Sequence, residues 1–244
     1  MWYVILRQII YSLIPGTTMN VLLGDSRVSY IKNSGQRFIK VEVEDLWSRA
    51  GGRLENCIDM VNDNIIYHHP PINPGKSHYY IMAGICDITT RITSKAQNYQ
   101  EVIFNYNEDA ISDVKKKINI VETKIMELGV LPIFCTVVPM HLETWNQTRF
   151  QQGKTSTLNY AQQYATMQSN LENALDEINH HIIKVNSKKN LATPLTHTSL
   201  LKRQKNGYYH LYGLLTDGCH PSEKAIEKLI TSLSKAMSLN NDKH

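Results

Sequence analysis

The chain has 244 residues, of which 42% are apolar and 20% charged, and its formal net charge is +4. This length and apolar content suffice for one large hydrophobic core, and no linker rich in Pro, Gly or Ser and no internal repeat divides the chain. The scattered basic residues are typical of a solvated surface rather than of a nucleic-acid-binding face, and the four cysteines show neither metal-ligand spacing nor a disulfide framework.

The first eighteen residues are apolar but fit no targeting signal well. Arg7-Gln8 interrupts the apolar run, no basic segment precedes it, and Pro15-Gly16 ends it before a bilayer could be spanned. We therefore expect an apolar N-terminal extension over residues 1–18, one domain over residues 19–244, no transmembrane segment and a cytoplasmic location.

The apolar run Val21-Leu22-Leu23 stops at Gly24-Asp25-Ser26. This pattern predicts a buried strand over residues 20–24 that turns into the N-terminus of a helix. Because open α/β sheets bind ligands at the carboxyl ends of their strands, the Ser26 hydroxyl is a candidate nucleophile. The same tripeptide is also an ordinary turn with a helix N-cap, so it does not identify a site alone.

Strand and helix patterns then alternate along the rest of the chain. Strands are predicted at residues 38–43, 78–83, 131–138 and 191–195, and helices from Arg53 through Ile65, at 109–128, at 160–187 and after Pro221. Alternation of this kind is typical of βαβ units. The prediction is an α/β fold, a three-layer α/β/α sandwich with a flavodoxin-like parallel sheet of about five strands.

Three further segments leave alternatives open. His68-His69 could bind a metal, but without a carboxylate or cysteine at ligand spacing a solvent-facing loop is favoured. Residues 142–157 show little periodicity, which predicts an inserted loop, either one that lines a ligand site or a surface excursion. His210 is a possible base that lacks a paired acid nearby in sequence, so His220 is favoured over it.

Asp217 and His220 lie in one loop just before the last helix. A serine nucleophile needs a base, and the base needs a carboxylate that fixes its tautomer and stabilises the imidazolium. With two residues between them and Gly218 loosening the backbone, the Asp217 carboxylate can reach one ring nitrogen of His220 while the other faces outward. The spacing therefore predicts that Ser26, His220 and Asp217 form a hydrogen-bonded chain.

The order Ser, Asp, His, with Gly24-Asp25-Ser26 first and Asp217-Gly218-Cys219-His220-Pro221 last, resembles the SGNH or GDSL hydrolase superfamily. The resemblance implies an oxyanion hole from the backbone N–H groups of Ser26 and Gly51, with Gly52 as the fallback for Gly51. It implies a third donor in the block Gly84-Ile85-Cys86-Asp87, where Cys86 stands in place of the family's asparagine. A thiol is a much weaker hydrogen-bond donor than an amide, which predicts impaired activity.

Two functions follow from this resemblance. The first is a serine esterase that acts on a small ester or acylated substrate, possible acyl groups being acetyl or lipid, and needs no metal and no other cofactor. The second is a weakly active or inactive module for binding or assembly. A looser resemblance to SGNH-like domains of animal mobile-element reading frames is consistent with the second, whose partner could be a lipid, a protein acyl group or a nucleoprotein particle.

Overall fold

The computed structural model of the chain describes residues 19–35, 43–67, 77–204 and 207–242. Three predicted features lie outside the described residues: the extension over residues 1–18, the second strand up to residue 42, and the His68-His69 loop. In the described part, no helix combines the length and the apolar character needed to cross a membrane.

Strands and helices alternate through most of the described residues. The strands are β1 (Met19–Gly24), β2 (Val43–Ser48), β3 (Ser77–Met82), β4 (Thr90–Ser94), β5 (Tyr99–Ile103), β6 (Leu131–Phe134), β7 (Leu201–Gln204) and β8 (Gly207–His210). The helices are α1 (Ser26–Gly35), α2 (Asn56–Tyr67), α3 (Ile85–Ile88), α4 (Glu108–Glu127), α5 (Leu142–Gln151), α6 (Tyr164–Lys188) and α7 (Glu223–Asn241). Short 3-10 turns occupy Ala161–Gln163, Thr196–Leu200 and Tyr212–Leu214.

Four strands form one parallel sheet in the order β2-β1-β3-β6, so β1 lies inside it. Successive side chains of a strand point to opposite faces, and β1 accordingly supplies Val21 and Leu23 to one core cluster and Leu22 to another. The carboxyl ends of β1 and β3 approach closely at Gly24. A Cβ atom at Gly24 would lie 2.0 Å from the Met82 carbonyl oxygen, so only glycine fits there.

Helices cover both faces of this sheet. The largest core cluster contains the apolar stripes of α2, α4 and α6, and a second contains those of α1 and most of α7. Two further α7 residues, Ala225 and Leu229, belong to a third, smaller cluster. The α4 stripe recurs every three or four residues, as the sequence pattern predicted, at Ile111, Val114, Ile118, Val121 and Ile125. The predicted three-layer α/β/α architecture is confirmed.

The predicted fifth strand at residues 191–195 is wrong, because helix side chains occupy the places of its hydrogen bonds. Asn240 of α7 binds both backbone groups of Ala192, accepting from its N–H (2.6 Å) and donating to its carbonyl (3.1 Å). Asn186 of α6 does the same at Phe134 on the outer edge of β6, at 3.2 and 2.8 Å. The described sheet therefore has four strands rather than about five.

Residues 142–151, predicted as part of a loop, form the helix α5. Its buried side chains include the polar Asn146, which accepts a hydrogen bond from the Val102 N–H and donates one to the Val102 carbonyl, both at 2.8 Å. Asn146 thereby fastens α5 to the antiparallel hairpin of β4 and β5. This hairpin and α5 stand over the carboxyl end of the parallel sheet and close one side of a cavity described below.

A buried carboxylate on the same hairpin ties down the segment that leads into α6. Glu101 accepts hydrogen bonds from the Tyr99 hydroxyl (2.6 Å), from the N–H groups of Asn159 (3.1 Å) and Tyr160 (3.2 Å), and from the Tyr164 hydroxyl. Four donors satisfy the charge without a basic partner, which is the condition under which a carboxylate tolerates burial.

Candidate active site

Ser26 begins helix α1 immediately after the carboxyl end of β1. The turn between them is held by Asp25, whose N–H donates to the Met82 carbonyl (3.1 Å) and whose carboxylate accepts from the Arg27 N–H (2.9 Å). The first N–H groups of a helix have no intrahelical acceptor, so the Ser26 N–H points out of the helix start. Ser26 thus presents both a hydroxyl and a backbone donor at the sheet edge.

Asp217 and His220 lie in the loop before α7, and the Asp217 carboxylate shapes that loop. One oxygen, Oδ1, accepts from the N–H groups of Cys219 (3.0 Å) and His220 (2.8 Å), and Oδ2 lies 2.7 Å from His220 Nδ1. Gly218 has a φ of +83°, and a Cβ there would lie 2.6 Å from the His141 carbonyl oxygen. The loop can approach the start of α5 this closely because residue 218 has no side chain.

His220 joins the two loops. Its Nε2 lies 3.0 Å from Ser26 Oγ, so the structure brings Ser26, His220 and Asp217 into one chain of hydrogen bonds. Burial raises the pKa of Asp217, but hydrogen bonds from the His220 ring and from the two backbone N–H groups outweigh it, and the pKa lies below its ordinary value. Asp217 is therefore a carboxylate at neutral pH, so it accepts the hydrogen bond from Nδ1 of His220 and turns Nε2 toward Ser26.

Aromatic rings fix the plane of the imidazole. Tyr30 stacks on His220 with ring centroids 4.5 Å apart and planes 15° apart, and Trp145 contacts it at a tilt with centroids 5.7 Å apart. Tyr30 was not predicted as a site residue, although it lies four residues after Ser26 and therefore on the same face of a helix. That spacing is the signal from which it could have been found.

Arg27 is a second unpredicted residue that joins the same two loops. It is 2% exposed, and its guanidinium lies 3.3 Å from the Asp25 carboxylate and donates through Nε to the Cys219 carbonyl (3.3 Å). Burial lowers the pKa of Arg27, but the neighbouring Cys219 and Asp25 raise it above its ordinary value. A permanent buried charge therefore clamps the residue before Ser26 to the residue before His220.

Ser26 and His220 open on a cavity of about 460 Å3 that Gly51 and Cys86 also line. Gly51 has a φ of +67°, and no hydrogen bond to another described residue engages its N–H. The fallback candidate, Gly52, donates its N–H to the Arg49 carbonyl (2.9 Å), which leaves Gly51 as the available donor. Of the residues that the sequence predicted for the site, Ser26, His220, Gly51 and Cys86 line this cavity, and Asp217 contacts it only through His220.

The thiols near the cavity are protonated at neutral pH. Burial, aided by the charge of Asp25, raises the pKa of Cys86, and burial raises the pKa of Cys219 to about 11. Neither thiol is therefore a competing nucleophile, since the reactive form is the thiolate. The neighbouring Asp87 accepts from the Leu54 N–H (3.0 Å) and so ties the Cys86 turn to the segment that follows Gly51.

His210, the weaker candidate base, is not brought to Ser26. It lies against Glu172 (3.9 Å) and Tyr212 at a second cavity, of about 820 Å3. In the described ranges, no group of three or more His, Cys, Asp or Glu side chains is arranged to hold a metal ion.

Comparison of the sequence with protein-family models and with curated proteins finds no match. Solved structures do resemble the fold. A protein of Bacteroides fragilis provisionally described as an acylhydrolase matches with a TM-score of 0.59 at 14% identity, over 94% of this chain and 89% of that one. The OSK domain of Drosophila Oskar matches with a TM-score of 0.53 at 10% identity, over 93% and 92%.

A third similar structure, from Streptococcus pneumoniae and provisionally described as a platelet activating factor, has a TM-score of 0.52 at 12% identity and covers 96% of this chain and 91% of that one. Structural similarity at sequence identities this low shows a shared fold and does not show a shared activity. With its parallel sheet between two helical layers and these structural neighbours, the chain has the fold of the SGNH-type hydrolases.

Proposed function

We propose that this protein is a serine ester hydrolase of the SGNH type, with Ser26 as nucleophile, His220 as general base and acid, and Asp217 as the carboxylate that orients His220. One observation carries the proposal. Ser26 Oγ, His220 and Asp217 form a continuous hydrogen-bonded chain, with distances of 3.0 and 2.7 Å, at the mouth of a cavity large enough for a small ester.

In the proposed reaction the Ser26 hydroxyl proton moves to His220 Nε2 as Oγ bonds to the ester carbonyl carbon. The carbonyl π electrons move to the oxygen, and the resulting tetrahedral intermediate collapses when the bond to the alcohol breaks. His220 gives its proton to the departing alkoxide, which leaves an acyl group on Ser26. A water molecule then attacks the acyl carbon while His220 takes one of its protons. The bond from the acyl carbon to Ser26 Oγ breaks, His220 returns the proton to Oγ, and the carboxylic acid leaves.

The oxyanion of this intermediate would be held by the N–H groups of Ser26 and Gly51, with the Cys86 thiol as a weak third donor. Removal of one strong donor from such a site typically lowers kcat by about 10²–10³. We therefore expect slow but measurable hydrolysis of p-nitrophenyl acetate. A rate equal to that of an efficient esterase would show that Cys86 does not limit the reaction.

The same thiol favours a second candidate function, a module that keeps the fold and the hydrogen-bonded chain but binds acylated partners without turnover. The two functions differ in whether Ser26 reacts. A fluorophosphonate probe traps only an activated serine, so it separates them directly.

The experiment compares labelling of the wild type, Ser26→Ala and Ser29→Ala, with folding checked by circular dichroism. Ser29 is a matched control because it is a second serine on α1, bonded to the Ser48 hydroxyl and not to His220. We expect labelling of the wild type and of Ser29→Ala and none of Ser26→Ala. A folded wild type that stays unlabelled would refute the esterase and support the binding module.

A further inference from the structure

The cavity beside Ser26 has a positively charged wall. Arg53, Arg91 and Arg149 line it, and the described residues that line it include no Asp or Glu. These arginines come from three separate segments: Arg53 precedes α2, Arg91 is in β4 and Arg149 is in α5. Charges of one sign in a concave, partly desolvated site attract a ligand of the opposite sign.

Arg149 is half-buried and incompletely satisfied. Its guanidinium lies over the Trp145 ring, 4.6 Å from the centroid, and its Nε is buried without a hydrogen-bond partner among the described residues. Burial and the positive charge of Arg91 lower the pKa of Arg149 by more than the nearby Asp217 raises it, so the two arginines repel one another. Neither forms an ion pair with a described carboxylate. An anion between them would remove the repulsion and supply the missing acceptor.

The indole of Trp145 relates this wall to the nucleophile. Its ring centroid lies 5.7 Å from that of His220 and its face lies 4.6 Å from the Arg149 guanidinium. The His220 ring and the Arg149 guanidinium thus lie beside the same indole, and Ser26 lines the same cavity. A compact ester in this cavity could therefore present its carbonyl to Ser26 and a charged group to Arg149.

We propose that the substrate is an ester that carries an anionic group, a carboxylate or a phosphate, and that this group binds between Arg91 and Arg149 while the ester carbonyl reaches Ser26. This proposal rests on the proposed esterase function. Arg91 and Arg149 are its specificity-determining residues, and Arg53, which follows Gly51 and Gly52, adds a third positive charge to the lining of the cavity.

The first measurement compares kcat/KM for three acetyl esters: 4-acetoxybenzoate, 4-acetoxyphenyl phosphate and the neutral 4-acetoxybenzamide. Rates are normalised to the uncatalysed hydrolysis of each ester, which removes the difference between leaving groups. We expect the normalised kcat/KM of at least one anionic ester to exceed that of the neutral ester by about tenfold or more, which is the gain expected from one charge-assisted hydrogen bond. The better anion shows whether the site is built for a carboxylate or for a phosphate.

Arg91→Gln and Arg149→Gln should each lower this ratio toward one. Lys124→Gln is the matched control, because it removes one positive charge from the exposed side of α4 and should leave the ratio unchanged. A second measurement needs no turnover: calorimetric titration of Ser26→Ala with phenyl phosphate and with 4-hydroxybenzoate should show binding that weakens in added salt and is lost with Arg149→Gln.

The outcomes distinguish the proposed anionic substrate from the proposed esterase function. Ser26-dependent hydrolysis with a ratio near one, and no anion binding, would overturn the anionic substrate and leave the esterase intact. Anion binding that needs Arg149 without hydrolysis of any ester would overturn the esterase and support the anion site alone. If the protein neither binds the anions nor hydrolyses any ester, both proposals are wrong.

Discussion

Replacement of Arg27 by Met tests the clamp between the two loops of the site. Methionine keeps most of the length and apolar volume of the side chain but removes the charge and all its donors. The Asp25 side chain, which is 3% exposed, would then keep only one described donor, the backbone N–H of residue 27 at 2.9 Å. The Cys219 carbonyl would lose the donor that holds it at 3.3 Å.

The expected loss of unfolding free energy is about 3–5 kcal/mol. Removal of one partner from a buried ion pair costs about that much, because the remaining charge is left uncompensated. The orphaned Cys219 carbonyl alone would cost about 1–3 kcal/mol, but it shares its cause with the lost pair and is not additive. For contrast, Lys116→Met removes an exposed ion pair with Asp113 (3.1 Å) and should change stability by less than about 1 kcal/mol.

The assay is urea unfolding of the wild type, Arg27→Met, Asp25→Asn and the double variant, followed by fluorescence and circular dichroism. Asp25→Asn keeps an acceptor for the residue 27 N–H and removes the second charge, so the double variant should be less destabilised than the sum of the single variants by about 2 kcal/mol. A loss below about 1 kcal/mol for Arg27→Met, or strict additivity in the double variant, would refute the buried-charge argument.

Three further predictions concern other parts of the molecule. Cys86→Asn should raise kcat on an acetyl ester by about tenfold with KM little changed, because the amide donates a hydrogen bond to the negative charge that develops only in the transition state. If steady-state kinetics show Cys86→Asn no faster than Cys86→Ala, position 86 is not part of the oxyanion site. Glu101→Gln should lower the free energy of unfolding in urea by about 2–3 kcal/mol, because an NH2 group, which cannot accept a hydrogen bond, replaces one of the two oxygens that the four donors share. A change below about 0.5 kcal/mol would contradict this. Burial lowers the pKa of His197 to about 4, so folding favours its neutral form. The free energy of unfolding should therefore fall as the pH falls from about 6.5 toward 4, by up to about 1.4 kcal/mol per pH unit. Urea unfolding at a series of pH values measures this slope, and His197→Gln should reduce it.

The elements that the sequence predicted well are those whose signal is local. The apolar stripe of α4 predicted that helix at residues 109–128, and the structure has it at Glu108–Glu127. The Gly24-Asp25-Ser26 junction likewise placed the strand end and the helix start, because glycine is needed where β1 meets β3 and Asp25 binds the next turn. Both depend on residues close together in the chain.

The features that were missed depend on partners far away in sequence. Helix α5 lacks an apolar stripe because one of its buried positions is Asn146, which pairs with a backbone 44 residues away. The segment at residues 191–195 resembles a strand in composition, yet its backbone is bound by Asn240, 48 residues away. Arg91 and Arg149 carry no motif, and only the fold places them on the same cavity as Ser26.

The Asn186 side chain occupies the outer edge of β6 at Phe134, where another chain could otherwise add a strand. Beyond Asn186 at Phe134, the outer edge offers no donor at Pro132, and the Thr136 N–H is already bound by the Pro194 carbonyl (3.1 Å). The Asn186 carboxamide accepts from the Phe134 N–H and donates to its carbonyl, as the backbone of a neighbouring strand would. Unlike a strand, it offers no further backbone groups with which another strand could pair. An unprotected sheet edge recruits extended peptides and further copies of itself. Among the described residues, the outer edge of β6 from Pro132 to Thr136 has no free N–H, which disfavours strand addition on this side in a complex or in an aggregate.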